Sequence, residues 1–316
     1  MPVDYLHRHP DYPDLLRTLA DAKGIAPDLI EKDYWIMHCL HGLTQQGYQF
    51  ELKGGTSLSK GFGIIHRFSE DIDLRIAPPD EPKVFTGKNH VKPRHCDSRK
   101  VFYDQLATEI VIDGLVDIRR DAVFDDEKYR SGGIRLFYEN QTTVSAGLKD
   151  GILLEVGFDQ VAPNTKRDIS SWALDFAEQR GMPIADNRAR GIACYEPGFT
   201  LVEKLQAIAT KYRRFLASGD MPRNFMRHYY DVYCLLVLPE IKAFIGSHDY
   251  QQHKAERFPK ADYVIPLAKN EAFLLSDSST RAHFAASYHQ TRALYYQDQP
   301  DFETLLAKIA KVIHLL

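Results

Sequence analysis

Lys53-Gly54-Gly55-Thr56-Ser57-Leu58-Ser59-Lys60, followed shortly by Ser69-Glu70-Asp71-Ile72-Asp73-Leu74, is the stretch whose reading decides the fold. Just before it, Tyr48-Gln49-Phe50-Glu51-Leu52-Lys53 alternates apolar and polar residues, as a strand does, and ends at the paired glycines. Glycine lets a backbone turn sharply and approach an anion closely. The free N–H groups of a helix start then favour phosphate. Gly54, Gly55 and Thr56 would form such a turn, with Ser57 adding a hydroxyl donor and Lys60 a charge. The spacing is not that of a Walker loop. Taken alone, the run reads as an ordinary strand-to-helix turn at least as readily as a phosphate cradle. Ser57 to Ile65 reads as one short helix, and Asp71 to Ile76 as a second strand.

The paired acids change the weight of that reading. Residues two apart on a strand point the same way, so Asp71 and Asp73 project together while Ile72 and Leu74 face the core. Two adjacent carboxylates repel unless a cation lies between them. Magnesium suits them, since it takes one or two carboxylates together with substrate phosphates. A solvated strand face is the plain alternative. Phosphoryl-transfer sites of this kind commonly use a third acid on a neighbouring strand. In Ile152-Leu153-Leu154-Glu155-Val156-Gly157-Phe158-Asp159, the apolar face is Ile152, Leu154, Val156 and Phe158. Glu155 is mid-strand, where a carboxylate is unusual unless solvated or used. It is preferred to Asp159, which lies at the strand's end.

Outward from this centre, Pro27 to Leu43 reads as an amphipathic helix with Pro27 in its first turn. Its Glu31, Lys32 and Asp33 read as a charged face, and Trp35 as core. Lys83 to Lys100 is basic and turn-rich, open to reading as a nucleic-acid contact or as a solvated insertion. Val101 to Ile112 reads as helix, Ile134 to Tyr138 and Ile152 to Phe158 as strands, and the chain from Phe199 onward as mainly helical. The expected organisation is therefore an α/β domain over 1–165 and a helical domain over 166–316, joined near Pro163 to Arg190. In the helix from about Phe199 to Phe215, Leu201, Leu205, Ile208 and Tyr212 form one stripe, with Lys204 and Lys211 beside it. Further on, Arg227 and Asp231 are four apart and suited to pair.

Four scattered cysteines without a CxxC pair argue against a disulfide framework and fit a reducing cytoplasm. The first residues lack a signal-peptide pattern, and no apolar run is long enough to span a bilayer. A net charge of -3 leaves nucleic-acid binding to a local basic face.

Together these residues resemble the DNA polymerase β-type nucleotidyltransferase superfamily, and more narrowly the AbiEii/AbiGii toxin family. The likeness rests on Ile30-Glu31-Lys32-Asp33-Tyr34-Trp35, the Gly-rich run, Arg67-Phe68-Ser69-Glu70-Asp71-Ile72-Asp73-Leu74, Glu203-Lys204-Leu205-Gln206-Ala207 and Arg227-His228-Tyr229-Tyr230-Asp231-Val232-Tyr233. It implies an α/β nucleotidyltransferase core of mixed sheet and flanking helices, followed by a helical C-terminal domain. It further implies nucleotide phosphate at Gly55 and Ser57, a metal such as Mg2+ at Asp71 and Asp73, a triphosphate contact from Lys204, and an assisting acid in Asp231. The fourth motif departs from the commoner Lys-Asp-x-Tyr-Asp form, which leaves His228 without an assigned role. The implied activity moves a nucleoside monophosphate from an NTP to an acceptor, RNA and plausibly the 3′ end of tRNA, under restraint by an antitoxin protein. The alternatives are transfer to a protein or small molecule, or a non-catalytic nucleotide-binding module. Intact Asp71 and Asp73 speak against the last.

Overall fold

A computed structural model describes residues 3–145 and 148–316. The chain divides into two compact units, one comprising residues up to Phe62 together with Phe68–Tyr195, the other Gly63–Arg67 with Glu196–Leu316.

The first unit is built on one mixed seven-stranded sheet. Its strands are β1 (Phe50–Lys53), β2 (Asp71–Ile76), β3 (Leu115–Asp121), β4 (Ser131–Tyr138), β5 (Ile152–Gly157), β6 (Asn164–Ile169) and β7 (Ala189–Tyr195), in the order β3-β4-β5-β2-β1-β7-β6. β2 is antiparallel to β1 and parallel to β5. Its alternation is as expected: Ile72 and Leu74 are fully buried, and Asp71 and Asp73 half-buried. On β5, Leu153 is buried as completely as Leu154. This strand is covered on both faces, as a central strand beside a parallel neighbour should be. Glu155 is therefore not on a solvated edge. β6 and the first residues of β7 fall within the stretch expected to hold the join between domains.

Helices flank the sheet: α1 (Tyr12–Lys23), α2 (Pro27–Gln45), α3 (Pro93–Glu109) and α4 (Trp172–Gln179). α2 packs against α1, α4, β5 and β7. It is buried on every side from Asp28 to Leu40, so its charged residues do not form a surface face. α3 begins at Pro93, whose ring suits the first helical position. The second half of the basic stretch is thus helical rather than turn-rich, and its Arg99 is fully buried, donating to the carbonyls of Phe85, His90 and Lys128.

The second unit is helical. α5 (Pro197–Ser218) packs against α6 (Phe225–Leu235) and α7 (His248–Arg257), and α8 (Ser278–His289) against α6 and α9 (Phe302–Val312). The expected stripe Leu201, Leu205, Ile208 and Tyr212 lies in its core. The short segment Gly63–Arg67 belongs here: the Ile65 and His66 carbonyls accept from the Tyr296 hydroxyl and amide at 2.9 and 3.2 Å. Among the described residues, no helix is long and apolar enough to cross a membrane.

Candidate active site

The β2–β5 register sets Asp73 directly alongside Glu155 and Asp71 alongside Leu153. Three carboxylates thus converge from two neighbouring strands. Burial, reinforced by Asp73 and then Asp71, pushes the Glu155 carboxyl up to about 7, with Lys53 and Lys149 opposing. Asp159, the other candidate, lies exposed beyond the end of β5. An all-oxygen set whose members repel one another is the donor chemistry of a hard divalent cation. These residues fit magnesium on that ground.

The Gly-rich run stands against the same carboxylates. β1 pairs with β2 so that Lys53 lies opposite Asp73. Gly54 follows in the left-handed region at φ +73°, and a Cβ there would collide with the Asp73 carboxylate. Glycine is required twice over, by conformation and by space. The chain then makes one α-turn, Gly54–Thr56, and a wider π-turn, Ser57–Gly61, in place of the single helix expected to Ile65. Gly61 and the left-handed Gly63 end it. The Thr56 hydroxyl donates to the Asp71 carbonyl at 2.5 Å, tying the turn to the start of β2. Gly55 and Ser57 are buried, and among the described residues the Ser57 Oγ has no hydrogen-bond partner. A buried hydroxyl left unsatisfied costs free energy unless a ligand or water meets it. The Lys60 ammonium is engaged, 2.7 Å from Asp33 and 5.2 Å from the centre of the Trp172 ring.

Asp33 belongs to a set of buried charges on α2, each with a partner far away in sequence. Asp33 also accepts from the Trp172 amide at 2.8 Å, at the start of α4. Glu31 accepts from the Gln141 and Thr142 amides and the Thr142 hydroxyl. Lys32 lies 3.9 Å from Glu70 and donates to the Lys149 carbonyl. Burial, against the pull of Glu70 and Asp71, brings its ammonium down to about 8.

In the second unit, Lys204 of α5 and Asp231 of α6 meet at 2.9 Å. Arg67 grips the same carboxylate with two bonds of 2.7 Å, from Nε and Nη2. Asp231 is fully buried. Burial alone would raise its carboxyl, but Arg67 and then Lys204 hold it well below the usual range. The expected pairing with Arg227 gives way to these two partners. Both ring nitrogens of His228 are buried and, among the described residues, without a hydrogen-bond partner, and burial followed by Lys204 and Lys211 pushes its pKa well below the ordinary histidine value. The sequence did not single out Arg67 or Lys149. Arg67 stood within a quoted motif, but its carboxylate is 164 residues away. Nothing in the sequence around Lys149 marks it.

A second group of possible metal donors, His7, His38 and Asp113, is satisfied without an ion. His7 bonds Tyr34 at 2.8 Å and Asp113 at 3.0 Å, and His38 bonds the Asp113 carbonyl at 3.0 Å and Asn187 at 2.7 Å. Burial, then His7, push the His38 imidazole down to about 3. An unfolded histidine protonates near pH 6.5, so acid favours the unfolded chain. Stability held by neutral His38 is full above that pH and is lost as pH falls toward 3, by up to roughly 1.4 kcal/mol per unit. Both tryptophans, Trp35 and Trp172, lie in this unit. Urea unfolding followed by their fluorescence should lose stability between pH 6.5 and 4.5, less steeply in His38→Gln. Equal slopes would contradict the burial argument.

The family model for the AbiEii nucleotidyl transferase toxin of type IV toxin–antitoxin systems matches residues 39–308. The Gly-rich run, the paired aspartates, Lys204 and Asp231 fall inside that span, and Ile30 to Trp35 outside it. Among curated proteins none matches the chain. Among solved structures, an antigenic nucleotidyltransferase-like protein from Paracoccidioides brasiliensis is similar over 73% of this chain and 88% of its own, with 16% identity and a TM-score of 0.39, a distant likeness. On the strength of the family match, which takes in most of both units, the chain belongs to the AbiEii nucleotidyl transferase toxin family.

Proposed function

We propose that the chain transfers a nucleoside monophosphate from an NTP to an RNA acceptor, the 3′ end of tRNA, with release of pyrophosphate, and that an antitoxin protein restrains it. The observation that carries the chemistry is the convergence of Asp71, Asp73 and Glu155 beside a glycine turn where a larger residue would be strained and would displace the Asp73 carboxylate. Asp71 and Asp73 would hold magnesium, which when bound supplies charge neutralisation at the phosphates. Glu155, whose carboxyl is raised by burial and by its two neighbours, accepts the proton of the attacking hydroxyl. Gly54, Gly55, Thr56 and Ser57 cradle phosphate, and Ser57 offers a hydroxyl left unmet among the described residues. Asp33 holds Lys60 at the end of that turn. Lys204 is assigned to the triphosphate on the family's pattern, with Asp231 fixing the direction of its ammonium.

For an RNA acceptor, the support is the exposed side chains Lys83, Lys88, Lys92 and Arg94, which carry no acid of their own stretch among them. Incubation with each labelled NTP and total cellular RNA, followed by separation of RNA from protein, tests the reading. Label is expected in RNA for wild type and in neither fraction for Asp71→Ala. Label in protein alone would replace the RNA acceptor with a protein one. Expressed alone in a bacterium, the wild type should arrest growth and Asp71→Ala should not. Equal arrest by both would rule out catalytic toxicity.

A further inference from the structure

The Asp71 carboxylate already faces a protein cation. The Lys149 ammonium lies 2.7 and 2.6 Å from its two oxygens, with both side chains largely withdrawn from solvent. Lys149 stands in the connection between β4 and β5, and α2 straps that connection at several points. Glu31 accepts from Gln141 and Thr142, and Asp28 from the Ser145 amide at 2.5 Å. Lys149 itself is held by both backbone groups: its amide donates to Glu70 at 3.0 Å, and its carbonyl accepts from the buried Lys32 ammonium. An ordinary surface ion pair has no such framework and contributes little. Here buried charges on α2 and just before β2 place one lysine against one catalytic carboxylate.

An ammonium spanning both oxygens of Asp71 and a divalent ion on the same oxygens exclude each other, by space and by like charge. We propose that Lys149 is a built-in competitor for the cation site at Asp71, so that a divalent ion enters only by displacing a protein ammonium held there by α2. The inference rests on the reading of Asp71 and Asp73 as that cation site. Its purpose would be to keep the free ion weakly bound. It also explains why Glu31 and Lys32, remote from the carboxylates in sequence, are buried with their charges: they keep the loop and its lysine in register.

The test uses Mn2+ as the probe and its free electron paramagnetic resonance signal as the readout, on the full chain. Lys149→Met should bind Mn2+ roughly tenfold more tightly than wild type, the loss of one competing charge-assisted contact. Lys149→Arg should stay near wild type, and Asp73→Asn should weaken binding. Unchanged or weaker binding in Lys149→Met, with Asp73→Asn still weakening it, would leave the cation site standing and overturn the competition. Binding insensitive to Asp73→Asn would overturn the site and the inference together. Should Lys149→Met not fold, the wild type decides: Mn2+ should speed acetylation of Lys149 by acetic anhydride several-fold, read by peptide mass spectrometry. An unchanged rate would overturn the proposal.

Discussion

Asp73→Ala should lower nucleotide transfer by roughly a thousandfold or more while leaving the protein folded, the scale of losing a preorganised charge contact at a reacting phosphate. The two halves of that expectation have separate causes. Asp73 is half-buried and sits between the Gly54 turn and Glu155, so under the proposed function its removal takes away a cation ligand. It also removes one of three mutually repelling carboxylates. The Glu155 carboxyl, raised by burial and then by Asp73, should fall back toward its ordinary value. The unfolding midpoint should therefore hold or rise as activity disappears. Circular dichroism, a thermal melt and the labelled-NTP assay on one preparation measure all three. Full transfer by Asp73→Ala would remove the two-carboxylate mechanism, and loss of activity with collapse of the melt would show a structural role instead.

The opposite signature is expected of Asp231→Ala. This carboxylate is fully buried between Arg67 and Lys204. Its removal leaves the Arg67 guanidinium buried without its main counter-charge, a change that costs about 3–5 kcal/mol. Lys204→Ala should cost much less, because Arg67 keeps both bonds to the carboxylate and the lysine's own charge is removed with it. Urea unfolding of the two variants makes the comparison. Asp231→Ala within about 1 kcal/mol of wild type would contradict the burial argument. The practical meaning is that inactivity of Asp231→Ala alone does not identify a chemical role. Lys204→Ala, retaining the fold, is the variant that reads function in this pair.

The parts of this architecture that were legible in the sequence are those with a local signal. β2 could be bounded to the residue because its period-two alternation is unbroken from Asp71 to Ile76. Glu155 stood out as a carboxylate within an apolar strand. Edge strands β3 and β6 carry no apolar face. Asp117, Arg119 and Arg120 in the first and Lys166, Arg167 and Asp168 in the second leave no alternation to find. Their identity comes from pairing with β4 and β7. The same limit applies to charge. Glu31, Lys32 and Asp33 look like the wet side of a helix because their partners lie 27 to 139 residues away. Arg227, four residues from Asp231, was the pairing that helical spacing suggested, and a distant arginine takes its place.

That distant arginine also sets a timetable. Arg67 precedes Asp231 by 164 residues, and a ribosome adding about 5–20 residues per second needs roughly 8 to 33 seconds to cover the interval. Throughout it, Gly63–Arg67 hangs as an unmatched loop between β1 and β2, whose sheet is complete once Tyr195 has emerged. The helical unit cannot close until synthesis has passed α6, and a C-terminal fragment starting at Glu196 would lack the guanidinium its buried carboxylate needs. The two units are not separable as genes, because the helical one borrows Gly63–Arg67 from within the other's stretch of chain, and a nascent toxin holds a finished sheet long before it holds a finished helical unit.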